Sequence, residues 1–192
     1  MPNKAPPNAS AQPKQPSQSE IDSTARMLMQ TMDLVRLQMR RIKKDVEFHE
    51  EILAAGRQDQ QVDSTTSLFA DVHYLLISLH NVEQLFSRLK KLTPHEVELT
   101  DVRNKYRKWL GKCNEFRGRM DHSDSRNPMH PIDSGRLDGH AFCIDGVKID
   151  IGPVQEKEIE NMFNDLTTAW AKISDRQKKL RELITKHVES AS

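Results

Sequence analysis

The sequence predicts an all-α fold: an up-down bundle of four long helices with a small β-hairpin inserted before the last helix. Apolar residues recur at heptad spacing along four separate stretches of the chain, a pattern typical of helices that pack along one seam. Glycine is scarce, with 7 residues in 192, and charged residues make up 30% of the chain. This composition suits long amphipathic helices better than a β-sandwich or barrel.

We divide the chain into a tail, residues 1–18, and a single helical domain, residues 19–190. The tail is rich in Pro, Ala, Ser, Gln and Asn and has no large apolar residue after Met1. Because it cannot bury enough surface to offset its ordering entropy, we expect it to be disordered. The sequence has neither an apolar run of about 20 residues nor an N-terminal signal core, which predicts a cytoplasmic protein outside the membrane.

The first helix is predicted to begin at Ser19, with Asp22 completing a capping box, and to end at Gly56. One seam position is polar, His49. We interpret it as a tolerated or register-setting residue, with a ligand role as the alternative. The apolar seam residues are Ile21, Ala25, Leu28, Met32, Val35, Met39, Ile42, Val46 and Leu53.

The second helix is predicted to start between Asp63 and Thr66, after a loop over residues 55–66. His73 and His80 lie seven residues apart on one face of this helix. They are too far apart to share a metal ion without other ligands, so we interpret them as ordinary surface or seam residues. The seam residues are Leu68, Val72, Leu75, Leu79, Val82, Phe86 and Leu89.

A third helix is predicted to start at Thr93, with Pro94 at its first position and Glu96 at its third. Residues 123–139, rich in Ser, Asp, Asn, Pro and Gly, are predicted to form a loop after it. The seam residues are Leu99, Val102, Tyr106, Trp109, Cys113, Phe116 and Met120.

Residues 140–151 are predicted to form the β-hairpin, since Asp145-Gly146 is a preferred two-residue turn. Gly152-Pro153 then starts the fourth helix, which is expected to end near His187. Its seam has one polar interruption, Gln177. The apolar seam residues are Ile159, Phe163, Leu166, Trp170, Ile173, Leu180 and Ile184.

The two cysteines, Cys113 and Cys143, do not have the spacing of a metal site, and we expect both to be buried thiols. Motifs for a flavin, a nucleotide or a nucleophile are absent, so no cofactor is predicted. The net charge of +1 excludes general electrostatic binding to nucleic acid by the whole molecule.

Basic residues are concentrated along the third helix. Residues 103–126 hold eight basic and three acidic side chains, a local net charge of +5. Such a ridge would neutralise several phosphate groups. The alternative is a solvated helix face with i, i+4 ion pairs such as Arg117–Asp121.

At the end of this ridge, Arg117 and His122 combine the two chemical functions needed to cleave RNA without a metal ion. A histidine can take a proton near neutral pH, and an arginine presents a fixed set of donors to a phosphate. On a continuous helix the two residues point about 140° apart. They converge only if the helix ends between them or if a second subunit supplies one of them. Supporting or RNA-binding residues are Lys112, Arg119, Asp121, Asp124 and Arg126.

The Arg117–His122 pair, placed late in a helical bundle, resembles the Arg-x(4–6)-His motif of the HEPN superfamily. The surrounding CNEFRGRMDHSD also resembles the "LRN…EH-D" neighbourhood of uncharacterised bacterial relatives. The Arg-x(4–6)-His spacing also occurs at Arg88/His95 and Arg181/His187. Only Arg117/His122 has the expected position in the bundle and is surrounded by other polar residues. Gly118 stands where the family usually has Asn, Asp or His.

The resemblance implies a metal-independent endoribonuclease of a defence or toxin–antitoxin-like system that acts as a homodimer on RNA, with an antitoxin or another protein as a further partner. It implies that His122 is the general base or acid and Arg117 the cation that stabilises the transition state. Arg119 is an alternative phosphate-binding cation, because it is three residues from His122 and shares a face with it.

Two other interpretations remain open. The chain would be a non-catalytic interaction module if the seam from Ile21 to Leu53 were a coiled-coil or dimer surface. A metal site would form if the loop after the third helix folded back to join a set of five residues, although their spacing matches no familiar site. These residues are Asp121, His122, Asp124, His130 and His140.

Overall fold

Four long helices and three short strands form the part of the chain that the structure describes. The computed structural model describes residues 16–126, 135–138, 141–144 and 147–190. It confirms the predicted all-α bundle with a β insertion before the last helix. The predicted tail falls almost entirely in residues 1–15, outside the described residues. The elements are α1 (Gln18–Ala54), α2 (Gln58–Leu92), α3 (Val97–Arg126), β1 (Gly135–Asp138), β2 (Ala141–Ile144), β3 (Val147–Asp150) and α4 (Pro153–Ser190).

Side-chain bonds between neighbouring helices show that the bundle runs up and down. On α1, Arg41 and Asp45 bond to Asp71 and Ser67 of α2, so rising numbers on one helix meet falling numbers on the other. Pairs between α2 and α3 and between α3 and α4 follow the same rule. Since α4 also contacts α1, the four helices enclose one apolar core.

Helix α1 begins two residues earlier than expected. The N-cap is Ser17, whose side chain accepts from the backbone N–H of Glu20, while Glu20 reaches back to Ser17. The predicted pair Ser19 and Asp22 has the same spacing and lies inside the helix. Two overlapping capping boxes compete here, and glutamate fits the box better than the shorter aspartate.

The seam of α1 packs within the chain, so it is not a surface for a second chain. Ile21 to Val46 are buried at the predicted positions, and the polar seam residue His49 bonds through Nδ1 to Ser64 Oγ at 2.8 Å. The last predicted seam residue is wrong: Leu53 is 50% exposed and Ile52 only 1%. Ile52 lies seven residues after Asp45, on the side of α1 that faces α2.

Helix α2 starts at Gln58, so the predicted loop over residues 55–66 is wrong. Only Ala55, Gly56 and Arg57 connect the first two helices, and Gly56 has a positive φ of 63° that suits glycine. The first turns of α2 are polar, yet they lie against α1, where Ser64 is buried beside His49. Tertiary packing therefore outweighs the loop-like composition.

Both ends of α3 differ from the prediction. Thr93, the expected N-cap, instead ends α2, where its hydroxyl donates to the carbonyl of Leu89 at 2.8 Å, and α3 begins at Val97. At the other end α3 continues to Arg126, beyond the expected loop start at residue 123. Pro128 is the first residue after Met120 that is unable to continue a helix.

The predicted hairpin forms β2 and β3, with Ala141 paired to Asp150 and Ile144 to Val147. A third strand, β1, pairs with β2 and lies in the predicted loop. Phe142 anchors this sheet to the bundle: it is fully buried, with ring centroids 5.8 Å from Phe69 of α2 and 6.3 Å from Phe116 of α3. The sheet is thus part of the core.

Helix α4 starts at Pro153, as expected, and extends beyond its neighbours. Ile159, Leu166 and Ile173 of the predicted seam are buried, whereas Phe163 and Trp170 are only partly buried. Leu180 is 58% exposed, so the predicted seam is wrong at this position, and the side chain of Ile184 lies outside the described residues. The reason is length. Gln177 already meets Gln18 at the start of α1, through a 3.2 Å hydrogen bond.

Buried groups between α3 and α4 have shifted pKa values. Burial raises the pKa of the Cys113 thiol to about 11, although Gln155 donates to its sulfur, which confirms a buried thiol at this position. The side chain of Cys143 lies outside the described residues. No helix within the described ranges has the length and apolar character needed to cross a membrane.

Tyr106 predicts a pH-dependent contribution to stability. Its hydroxyl donates to Asp165 at 2.6 Å, and burial first, then this hydrogen bond, raises the pKa of Tyr106 from 10.0 to about 12. The unfolded chain loses this proton at lower pH than the folded chain. The contribution is therefore complete below pH 10 and is lost as the pH rises towards 12.

We expect the free energy of unfolding to fall by about 2 to 3 kcal/mol from this group across that window. Urea denaturation of the wild type and of Tyr106→Phe between pH 9 and 11.5 checks this. At pH 9 the variant should have the lower free energy of unfolding. Between pH 9 and 11.5 that free energy should fall less steeply with pH in the variant than in the wild type. Equal slopes for the two proteins would contradict the assignment.

Candidate functional site

Near the end of α3, Asp121 links Arg117 to a histidine of α2. His73 Nε2 lies 2.9 Å from Asp121 Oδ1, and Arg117 Nε lies 3.9 Å from Asp121 Oδ2. His73 and Arg117 are half-buried, while Asp121 is exposed at the edge of the groove between the helices. The two oxygens of one carboxylate therefore orient an imidazole and a guanidinium side by side.

This cluster holds an arginine in a partly dry environment. Arg117 Nε is shielded from solvent and has no hydrogen-bond partner among the described residues. At 3.9 Å its contact with Asp121 is an ion pair and is too long for a hydrogen bond. Since this nitrogen is closed to solvent, an anion would have to bind the part of the Arg117 side chain that remains exposed, which is 28% of it. The arrangement can bind an anion and place a histidine beside it.

A second polar layer lies two turns further along the same groove. His80 Nδ1 is 3.0 Å from Asn114 Oδ1, and the amide of Asn114 donates to Glu83. His73 and His80 are seven residues apart on α2, as their partners Asp121 and Asn114 are on α3. The two histidines are thus interface residues with defined partners. The sequence shows the seven-residue spacing of the two histidines, but not the register that pairs them with Asp121 and Asn114.

Arg117 and His122 occupy positions on different sides of one continuous helix. Because α3 is helical as far as Arg126, the two positions lie about 140° apart around its axis. The first route to convergence, a helix end between them, is therefore wrong. Only the second route, a group from another subunit, is consistent with the helix. The side chain of His122 itself lies outside the described residues.

The supporting residues fall into three groups. Arg119 bonds to Glu115 at 3.1 Å on the outer side of α3. Lys112 is exposed and forms no ion pair with any described carboxylate. The side chains of Asp124 and Arg126 lie outside the described residues, although both residues belong to α3.

Part of the basic ridge is neutralised. Lys105 is paired with Asp165, Arg117 with Asp121 and Arg119 with Glu115. Among the described side chains, three other exposed cations of the ridge have no such pair. These are Arg107, Lys108 and Lys112. The i, i+4 pairs predicted as the alternative therefore exist, but they leave a net positive surface.

The structure gives no support for the metal interpretation within its described part. No group of three or more His, Cys, Asp or Glu side chains is placed there to hold a metal ion. His130 and His140 lie outside the described residues, as do the side chains of His122 and Asp124. Asp121 instead lies at hydrogen-bond distance from His73 and forms an ion pair with Arg117.

Gly118, in the middle of α3, predicts a gain in stability on substitution. A Cβ atom built on it meets nothing within 4 Å, and its φ is helical. Gly118→Ala should raise the free energy of unfolding by about 0.5–1 kcal/mol, since alanine loses less backbone entropy in a helix. Urea denaturation is the measurement. Gly56→Ala, at a positive φ, is the control and should destabilise. A loss of stability in Gly118→Ala would contradict the open space around this residue.

Comparison of the chain with protein-family models, curated proteins and solved structures gives no match. The resemblance to the HEPN superfamily therefore depends on the residues around Arg117 and His122 alone.

Proposed function

We propose that this protein is an HEPN-like endoribonuclease that cleaves RNA without a metal ion, at a site completed by two copies of the chain. The supporting observation is the cluster in which Asp121 orients Arg117 and His73, next in sequence to His122. It provides a positioned and partly exposed cation, on the same helix as exposed cations that suit a polyanion.

The residues would act as follows. His122 takes the proton of the ribose 2′-hydroxyl, and the 2′-oxygen attacks the adjacent phosphorus. Arg117 stabilises the negative charge that builds on the phosphorus oxygens. The bond from phosphorus to the 5′-oxygen breaks, and that oxygen takes a proton from an acid or from water. The products are a 2′,3′-cyclic phosphate and a 5′-hydroxyl end.

The helical geometry supports a homodimer as part of this proposal. Since Arg117 and His122 lie on different sides of one continuous helix, a single phosphate would contact Arg117 of one copy and His122 of the other. Asp121 and His73 would hold the guanidinium in place, and Arg119 and Lys112 would bind flanking phosphates. A defence or toxin–antitoxin-like setting, with an antitoxin that covers this surface, is part of the proposal.

The test is cleavage of labelled single-stranded RNA with EDTA present. The purified protein is first shown to be a dimer by light scattering. The expected result is RNA fragments with 2′,3′-cyclic phosphate ends. A verified dimer that leaves RNA intact, or cleavage that requires added metal, would overturn the proposal.

A non-catalytic interaction module is the second candidate. Four large apolar residues are exposed on the outer side of α1, within about 80° of arc at 100° per residue. Such a stripe would suit another protein. If it is the functional surface, substitutions there should change the oligomeric state or partner binding while substitution of His122 has no effect. The residues are Met27, Leu34, Leu37 and Phe48.

A further inference from the structure

A second basic surface lies where α2 ends and α3 begins, away from the cluster around Arg117. It is an open depression of about 360 Å³, lined by Ser87, Lys90, Lys91, Pro94 and Arg103. The last two turns of α2 supply the serine and the lysines, and the second turn of α3 supplies the arginine. We call it the Lys90–Arg103 cleft.

The three cations of this cleft are not neutralised by the described part of the chain. Lys90, Lys91 and Arg103 have no described carboxylate within 4 Å. Of the nearest acidic residues in sequence, Glu96 and Glu98 are both bonded to Arg176 of α4, and the exposed Asp101 forms no ion pair with a described cation. The cleft therefore holds three positive charges that no described carboxylate neutralises.

The helix dipole explains only part of this arrangement. Lys90 and Lys91 lie in the last turn of α2, where positive charge is favoured by the partial negative charge of the helix end. Arg103 comes from another helix, and a partial charge of about −0.5 at the end of α2 is too small to compensate three cations. Bringing a third cation to the two lysines costs repulsion unless an anion joins them.

The geometry suits a phosphate group in particular. Arg103 offers a planar set of donors that can grip two phosphate oxygens, while the lysines add point charges and Ser87 a hydroxyl donor. Arg107 lies one turn beyond Arg103 on the same helix, exposed and without a described ion pair. It extends the positive surface towards Arg117.

We infer that the Lys90–Arg103 cleft is a binding site for a phosphate group of the RNA backbone. The inference rests on the proposed function, because it names a second contact for the same RNA. Arg103 and Arg117 are fourteen residues apart on α3, about 21 Å at 1.5 Å per residue. At 3.4 Å per nucleotide of a stacked strand, about six nucleotides span the two sites.

The test compares RNA binding by the wild type and by Lys90→Gln/Lys91→Gln/Arg103→Gln. Binding of fluorescein-labelled single-stranded 2′-O-methyl RNAs of fifteen and three nucleotides, which lack the attacking hydroxyl and stay intact, is followed by fluorescence anisotropy over a range of salt concentrations. The control, Arg40→Gln/Lys43→Gln/Lys44→Gln, removes the same charge from an exposed face of α1. Melting followed by circular dichroism verifies that all variants are folded.

The cleft variant is expected to bind the fifteen-nucleotide RNA about tenfold or more weakly at low salt. Its salt dependence should be shallower by about 0.7 units of slope, the value for the loss of one phosphate contact to a single strand. The control variant should keep the wild-type slope. The three-nucleotide RNA is too short to span both sites, so the advantage of the longer RNA should shrink in the cleft variant alone.

Failures of the two proposals are distinguishable. If the wild type cleaves RNA and the cleft variant binds it with the wild-type slope, the cleft inference is overturned and the cleavage site stands. If the wild type binds no RNA, the proposed function fails, and calorimetric titration with inorganic pyrophosphate tests the cleft by itself. Pyrophosphate binding that is lost in the cleft variant supports an anion site, and its absence from the wild type overturns the cleft as well.

Discussion

His122→Ala is expected to abolish RNA cleavage while leaving the fold intact. Loss of a general base typically slows a reaction by about 10² to 10⁴-fold. Because His122 belongs to a continuous helix, alanine should preserve the helix at this position. Cleavage rates with EDTA present, together with the helical signal and the melting temperature, are the measurements. A variant that cleaves at the wild-type rate would contradict the catalytic role.

The chain offers a matched control for this substitution. His95 follows Arg88 with similar spacing, but it lies outside the helices, in the connection between α2 and α3. His95→Ala should therefore cleave like the wild type. If His122→Ala instead melts at a much lower temperature, its loss of activity is structural, and the milder His122→Gln becomes the decisive variant.

A mixing experiment tests whether the site is shared between subunits. Arg117→Ala and His122→Ala are each expected to be inactive alone, since every site lacks one group. In a mixed dimer, one site lacks both groups and the other holds both. Equal mixing should restore about a quarter of the wild-type activity, because half of the dimers are mixed and each has one intact site. No recovery in dimers shown to exchange subunits would place both groups in one chain.

Phe142→Ala is expected to be the most destabilising substitution in the small sheet. The Phe142 ring is fully buried between Phe69 and Phe116. Its removal should lower the free energy of unfolding by about 3–5 kcal/mol, from lost burial and the cavity left behind. Urea denaturation measures this directly.

Phe48→Ala is the control, because its ring is 50% exposed on the outer side of α1. A change within about 0.5 kcal/mol is expected there. A similarly small change for Phe142→Ala would contradict the inclusion of the sheet in the core. Phe116 precedes Arg117, and Phe69 lies one turn before His73. Phe142 therefore packs against the segments of α2 and α3 that carry His73 and Arg117.

The heptad spacing identified the buried faces because those faces repeat along each helix. The heptad spacing gave wrong buried positions near the ends of α1 and α4, where the neighbouring elements change. Near the turn into α2, Ile52 is buried instead of Leu53. Leu180 is exposed because α4 extends beyond the first residues of α1. The ends of elements were least predictable. Two overlapping capping boxes, at Ser17 and Ser19, compete for the start of α1, and the polar start of α2 is helical because it packs against α1.

For the candidate site, the sequence identified residues but not their partners. Arg117 and Asp121 form the expected i, i+4 pair. His73 is 48 residues away from Asp121 in the chain, and only the antiparallel register of α2 and α3 brings them together. Neither histidine periodicity nor charge counting contains that register, which is set by the apolar seams of both helices.

From Lys178 onwards α4 has no buried side chain in its described part, so its own backbone hydrogen bonds keep it helical. Segments of this kind open locally at a free energy near zero, far below that of global unfolding. Their amide hydrogens exchange with solvent much sooner than those of core residues such as Leu28 and Leu75. The end of α4 can therefore unwind and re-form independently, while the bundle that carries Arg117 stays folded.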